Sequence, residues 1–195
     1  MERAVTPSLH LVPSADPPDA DAEALDRLKR GDLGALGELY DRHAEAVLRF
    51  ARRSAPREDA EDIMQTSFLR VAQVAGRFEK GRSTGRAFLF GVAANVIRER
   101  RRAFARLGRA LGRLAGESPS RRILVPSSQG DHLDVARALA RLSDAKRMTF
   151  VLVEVEGFLC EEVAAMMDIP VGTVWTRLHH ARRELRDWLG KGGGQ

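Results

Sequence analysis

Apolar residues recur along this chain at three- and four-residue spacing, and no stretch alternates with a period of two, so the pattern predicts an all-α protein. From about Ala22 to Phe104 the periodicity is broken only at Arg30-Gly31-Asp32, at Ser54-Ala55-Pro56 and across Gly76 to Gly85, where glycine, proline and small polar residues cluster. Leu33, Leu36, Leu39, Tyr40, Val47, Leu48 and Phe50 form the expected inner side of one long amphipathic region, with Arg42, Glu45, Arg49 and Arg52 outward. In the next helix, Arg57 to Ala75, the angular count places Ala60, Ile63, Met64, Ser67, Phe68, Val71 and Ala75 inside. Its other face carries Glu58, Asp62, Thr66, Leu69 and Gln73, a polar surface with a leucine at its middle. That leucine is either an ordinary exposed side chain or the anchor for a partner helix.

The segment from Arg86 to Phe104 changes from apolar (Phe88, Leu89, Val92, Val96, Ile97) to strongly basic (Arg98, Arg100, Arg101, Arg102), so one end is buried and the other cationic. The preceding loop, Gly76 to Gly85, mixes glycines, base and the ring of Phe78. Such a composition can wrap a single nucleic-acid strand, pairing phosphates while bases stack, or can be a solvated connection. Ala105 to His132 is rich in Gly, Ser, Pro and Arg and reads as a linker whose early part can extend the basic helix. Beyond it, Val135, Leu139 and Leu142 form one stripe, Ser143 is a candidate N-cap, and Met148, Val151, Leu152 and Val155 form a second stripe that ends at Gly157.

From Leu159 to Leu189 the pattern is two helices around a tight turn. Val163, Ala164 and Met167 give the first an apolar stripe, and small Ala164 suits a close crossing of axes. Asp168 is expected to end that helix in a left-handed conformation, and Pro170 cannot continue it. In the second helix Val174, Leu178, Ala181, Leu185 and Trp188 face inward, opposite Gly172, Thr176, His179, His180 and Arg183, with Trp175 and Arg186 on the flank. A basic face opposite a clean apolar stripe is the outline of a DNA-reading helix-turn-helix, whereas a hairpin in an ordinary bundle needs no such face.

Charge strengthens the nucleic-acid reading. The 195 residues carry a formal net charge of +5, with the basic side chains clustered, and a polyanionic partner fits that arrangement. One cysteine, Cys160, excludes an internal disulfide and a cysteine-rich metal site, which suits a reducing cytoplasm. No run of apolar residues is long enough for a signal peptide or a membrane span, and the Pro-, Ala- and Asp-rich first twenty residues are expected to be a disordered tail. His10, His43, His132, His179 and His180 make no metal-ligand or acid–base spacing with carboxylates, and no glycine-rich phosphate loop follows a strand. No catalytic residue, metal or cofactor is therefore expected.

The ordered set GDLGALGELYDRH, DAEDIMQTSFLRV, RAFLFGVAANVIRERRR and LSDAKRMTFVLVEVEGFLCEEVAAMMDIPVGTVWTRLHHARRELR resembles the extracytoplasmic-function (ECF) sigma factors, bacterial initiation factors that direct RNA polymerase to promoters. The resemblance spans about Asp21 to Leu189. It implies a tail at 1–20, a region 2-like domain at 21–104, a linker at 105–132, a region 4-like domain at 133–189 and a second tail at 190–195. It further implies that Asp62, Gln65, Thr66 and Leu69 dock on the β′ clamp helices of core polymerase. Phe78, Lys80, Arg82, Arg86, Asn95, Arg98 and Arg102 would open and read the minus-ten element. Gly172, Thr173, Trp175, Thr176, His179 and Arg183 would read the minus-thirty-five element, with the β flap and an anti-sigma factor as further partners and no membrane insertion. The chain departs from the family pattern at Leu159, usually a capping Ser, at Trp175, often Lys, at His180, often Arg, and at Phe88, commonly Trp. The loss of a side-chain cap at Leu159 is expected to weaken the first helix of the motif by about 1 kcal/mol. The competing function is a stand-alone helix-turn-helix regulator bound to duplex DNA as a dimer, which would need neither an acidic partner-binding helix nor a single-strand loop.

Overall fold

The computed structural model describes residues 18–115 and 132–192, and within them every regular element is helical. Four helices form the first domain: α1 (Pro18–Lys29), α2 (Gly34–Ser54), α3 (Ala60–Val74) and α4 (Gly85–Ala115). The second domain contains α5 (His132–Arg141), α6 (Asp144–Phe150), α7 (Cys160–Met167) and α8 (Val171–Gly192), with a π-helical turn, Val151–Val155, prolonging α6.

The inner stripe of α3 is as the periodicity predicts. Ala60, Ile63, Met64, Ser67, Phe68, Val71 and Ala75 are all buried, and the one hydroxyl among them donates from Ser67 Oγ to the Ile63 carbonyl at 2.6 Å, so it carries no unpaired polar group into the core. Leu33 departs from its expected place. It is the N-cap of α2 and 71% exposed, because the stripe of α2 begins two residues later, at Ala35, and continues at Leu39, both buried. Tyr40, Val135 and Val155, also expected inside, are exposed, while Arg42, expected outward, is half-buried in an ion pair with Asp21.

That ion pair belongs to a cluster that sequence spacing cannot reveal. Asp21 of α1 accepts hydrogen bonds from Arg42 and, at 2.7 Å, from His43 Nε2, twenty-two residues away on α2. His43 is buried, so the pair joins α1 to α2 and is a structural link, a pairing that the absence of local His–carboxylate spacing did not foretell. Burial alone would raise the Asp21 carboxyl, but the hydrogen bond and charge of His43, with Arg42, outweigh it and hold Asp21 below its ordinary range. Gly85 is the complementary device. A Cβ there would lie 2.5 Å from the Asp21 Cβ, so glycine alone lets α1 cross the start of α4.

Three expected boundaries are corrected. Helix begins at Pro18, inside the expected tail, because proline is preorganised for the first helical position. The basic helix runs on to Ala115, ten residues past the expected linker start at Ala105, so the early linker does extend it, since Ala, Leu and Arg are strong helix formers and outweigh Gly108 and Gly112. α8 extends to Gly192, beyond Leu189. The remaining parts of the expected tails and linker, 1–17, 116–131 and 193–195, lie outside the described residues.

Candidate nucleic-acid interface

The helix-turn-helix forms from α7 and α8. Val163, Ala164 and Met167 of α7 and Val174, Leu178 and Ala181 of α8 are buried against each other and α6. Asp168 caps α7 in the left-handed conformation, φ 54° and ψ 55°, and Ile169 N–H closes on the Ala164 carbonyl at 3.1 Å, which turns the chain sharply into α8. Opposite the apolar stripe, Gly172, Trp175, Thr176, His179, Arg183 and Arg186 are exposed in one row, with Thr173 and His180 half-buried beside it. Thr176 Oγ1 donates to the Gly172 carbonyl at 2.8 Å, which leaves its lone pairs and methyl group outward. Among the described residues no carboxylate pairs with Arg183 or Arg186: Arg183 lies 3.4 Å from His180 Nδ1, and Arg186 donates to the Arg182 carbonyl. Arg182, by contrast, is neutralised by Glu154.

At the head of α7, Leu159 has N-cap geometry, φ −66° and ψ 151°, and its side chain can supply no cap. The Leu159 N–H instead donates to the Glu162 carboxylate at 2.9 Å. This is the return half of a capping box, so the helix keeps one of the two bonds that a serine at this position would complete. Ser143 likewise takes N-cap geometry for α6, but its side chain makes no cap hydrogen bond.

In the first domain, Leu69 stands 64% exposed in the middle of α3, flanked by exposed Asp62 and Gln65 and half-buried Thr66. Asp62 is paired with Arg100 of α4. Around the Gly76–Gly85 loop, Lys80 and Arg82 are exposed, and Thr84 Oγ1 accepts the Ala87 N–H at 3.1 Å as a side-chain cap of α4. Along α4, Asn95 and Arg102 are exposed, and Asn95 Oδ1 accepts from Arg98 at 3.3 Å. The chain therefore presents two basic surfaces, one in each domain, and a separate apolar-centred face on α3.

Comparison with known proteins identifies the family of the chain. Residues 39–107 match Sigma-70 region 2, and residues 132–185 match Sigma-70, region 4. The chain is 34% identical over 159 residues to the ECF RNA polymerase sigma factor SigL of Mycobacterium tuberculosis, covering 80% of this chain and 89% of that one. It is 33% identical over 170 residues to the ECF RNA polymerase sigma factor SigE of Mycolicibacterium smegmatis, covering 83% of this chain and 65% of that longer relative. The chain belongs to the ECF sigma factor family. Its fold is similar to that of the sigma factor RpoE in complex with the anti-sigma factor NepR from Bartonella quintana, with a TM-score of 0.61, 26% identity, and coverage of 83% of this chain and 96% of that one.

Two residues expected to touch minus-ten DNA in this sigma factor are packed against other parts of the chain. Phe78 is 1% exposed, its ring packed edge-on against Phe88 at 5.4 Å and beneath the Lys29 ammonium, which also donates to the Phe78 carbonyl. An aromatic ring in a basic glycine loop reads equally well as a base-stacking group, but the apolar gap beneath the loop outcompetes solvent for it. Arg86 turns away from the loop into the second domain, where it donates to the Glu156 carbonyl at 3.0 Å and lies over the rings of Phe158 and Phe90 at 4.3 and 4.9 Å. Burial pulls the Arg86 guanidinium below its ordinary value, and burial pushes the Glu156 carboxyl up despite Arg86 beside it. Glu156 and Phe158 were not singled out from the sequence. Phe158 follows Gly157, whose φ of 77° reverses the chain, and a large apolar residue directly after such a turn was the available signal.

A cleft of about 780 Å³ lies between the loop and α7, with Arg82, Phe88 and Asn95 on one wall and Glu161, Met166 and Ile169 on the other. Among the described residues no group of three or more His, Cys, Asp or Glu side chains is placed to hold a metal ion, and no helix is long and apolar enough to cross a membrane.

Proposed function

We infer that this chain is a promoter-recognition subunit of bacterial RNA polymerase, a transcription initiation factor that binds core polymerase, recognises promoter DNA and promotes strand opening. The observation that carries this reading is the pairing, on one chain, of a region 2 and a region 4 match with two separate basic surfaces. A duplex-binding regulator would need only the second. The factor catalyses no bond change. It lowers the barrier to initiation by holding polymerase at a sequence and stabilising unstacked bases, each of which costs a few kcal/mol to extrude. Its place of action is the cytoplasm, on the nucleoid.

In this reading α1–α4 form the core-binding and minus-ten domain and α5–α8 the minus-thirty-five domain. Leu69 is the apolar anchor on the β′ clamp helices, with Asp62, Gln65 and Thr66 around it, and the β flap receives the second domain. Lys80, Arg82, Arg86, Asn95, Arg98 and Arg102 meet the opened minus-ten strand; Phe78 supports the loop from below. On α8, Gly172, Thr173, Trp175, Thr176, His179 and Arg183 enter the major groove, where Thr176 and Trp175 can pack on thymine methyl groups and Arg183 can hold phosphate or guanine. An anti-sigma factor is a further partner, as the complex formed by the Bartonella relative suggests. The test is reconstitution of the purified chain with core polymerase. Promoter-dependent transcripts are expected, whereas duplex binding without core and no transcripts with it would overturn the reading.

A further inference from the structure

α4 outlasts the domain to which it belongs. Between Gly85 and Ile97 every residue but Asn95 is buried or half-buried, whereas every residue from Arg102 to Ala110 is exposed, so this part of the helix stands out from the packed body. No core holds it there; the helix propensities of Ala, Leu and Arg do.

The arginines of this stretch sort by face. Between Arg98 and Ala115 the sequence is rich in arginine and has a single acidic residue, Glu99. Arg100 pairs with Asp59 and Asp62 of the first domain, and Arg101 pairs with Asp144, so both serve the fold. Arg102, Arg106 and Arg109 are exposed. At 100° per residue they fall within about 80° of one another and of Asn95 and Arg98, so the minus-ten face continues in register beyond the domain. Phe104 and Leu107, both more than half exposed, take the opposite side.

Two ordinary reasons for arginine near a helix end do not explain this row. The helix dipole acts within the last turn, and Arg102 and Arg106 lie more than two turns before Ala115. Pairing along the helix would need carboxylates, yet Arg102 and Arg106 stand at i,i+4 and Arg106 and Arg109 at i,i+3. Like charges at those spacings weaken a helix unless a polyanion lies along them.

On the sigma-factor reading, we propose that Arg106 and Arg109, continuing from Arg102, form a phosphate rail that carries the minus-ten grip onto the adjoining duplex, on the side of the minus-thirty-five element. The side follows from the chain, since α4 leads on to the minus-thirty-five domain. From Arg102 to Arg109 the helix rises about 10 Å, the rise of about three base pairs. The residues between them, Ala103, Ala105 and Gly108 among them, are small and bring no base-reading amide. Phosphate contacts carry no sequence information, so the rail strengthens binding to every promoter alike. It also supplies fixed positive charge that the reading helix lacks at Trp175 and His180.

The test uses the full chain assembled with core polymerase and a promoter duplex holding both elements, titrated across about 50 to 200 mM salt. Arg106→Gln with Arg109→Gln should make the slope of log affinity against log salt shallower by about 1.8, at 0.9 per duplex phosphate, and weaken binding at least tenfold at about 0.1 M salt. Arg106→Lys with Arg109→Lys should keep the native slope, because charge alone satisfies a phosphate. Arg30→Gln with Arg57→Gln removes the same charge from exposed positions elsewhere and should also keep it. Uncharged methylphosphonate linkages in about three base pairs beside the minus-ten element should weaken the native complex at least tenfold, and the glutamine variant by less than about twofold. The rail is overturned by an unchanged slope in the glutamine pair, by an equal loss in the Arg30 and Arg57 control, by failure of lysine to preserve the slope, or by equal sensitivity of native and variant to the neutral linkages. A native complex that binds no better to this promoter than to DNA with both elements scrambled would instead overturn the sigma-factor reading on which the rail rests.

Discussion

Gly85→Ala tests the packing that positions the first basic surface, and Gly37→Ala supplies its control. Gly85 is buried at the start of α4, and an added Cβ would sit 2.5 Å from the Asp21 Cβ, 2.7 Å from the Asp21 carbonyl carbon and 2.9 Å from the Ala22 nitrogen. Carbon pairs prefer about 3.5–4.0 Å, so the first turn of α1 has to withdraw by about 1 Å. Overpacking of that kind costs about 1–3 kcal/mol. The withdrawal also stretches the hydrogen bonds from Arg42 and His43 to Asp21, and charge-assisted bonds contribute about 1.5–3 kcal/mol each. Against these losses stands a helix-propensity gain of at most about 1 kcal/mol. The net expectation is a destabilisation of about 3 kcal/mol. Gly37 lies exposed on α2 with nothing within 4 Å of an added Cβ, so Gly37→Ala should stabilise by about 0.5–1 kcal/mol. Urea denaturation followed by circular dichroism reads both. With a slope of about 2 kcal/mol/M, the two midpoints should move in opposite directions and lie nearly 2 M apart. If Gly85→Ala matches Gly37→Ala in sign, α1 does not cross α4 as described.

Leu69→Glu should leave stability within about 0.5 kcal/mol, because the side chain is already exposed. It should weaken core-polymerase binding at least tenfold, since a docked leucine contributes about 1.5–3 kcal/mol; unchanged affinity in a fluorescence titration would remove α3 from the docking face. Leu159→Ser should complete the capping box with Glu162 and raise stability by about 1 kcal/mol, seen as a melting temperature about 2–4 °C higher, and a lower one would contradict the N-cap geometry. Asp21→Asn should cost about 2–3 kcal/mol at pH 7 by leaving Arg42 and His43 without their carboxylate. Asp21 is held below its ordinary value of 3.8 in the folded chain, so its contribution is full above that pH and is lost as pH falls through the lower, folded value. The stability gap between native and variant should therefore close as the pH falls below that folded value; a gap that persists in strong acid would show that the carboxylate charge is not its source.

The relation between sequence and structure differs from element to element. The inner face of α3 and the buried stripes of α7 and α8 were legible residue by residue, because a helix with one buried side imprints its 3.6-residue period on the chain. Asp168 was legible for the same local reason: a sharp stop before Ile169-Pro170 requires a left-handed residue. Leu33, Val135 and Val155 were misplaced because a stripe read by spacing does not say where the neighbouring element ends, and all three are exposed. Phe78 was misread because composition cannot distinguish an aromatic that reaches outward from one that fills the floor beneath its own loop.

By itself, then, the sequence determined what is encoded within a single turn or helix: the all-helical class, the order of the elements, the helix-turn-helix with its outward row from Gly172 to Arg183, and the leucine-centred face of α3. Tertiary structure decided what depends on residues far apart in the chain. The Asp21–Arg42–His43 cluster joins two helices through buried charge, and Gly85 and Gly91 act through the helix that each admits to close approach. The seam of Arg86, Glu156, Phe90 and Phe158 is likewise long-range, with Arg86 and Glu156 seventy residues apart. Local periodicity specifies which face is buried but not against which partner, and only the packed fold shows that the second domain lies against Arg86 and Arg98 of the first.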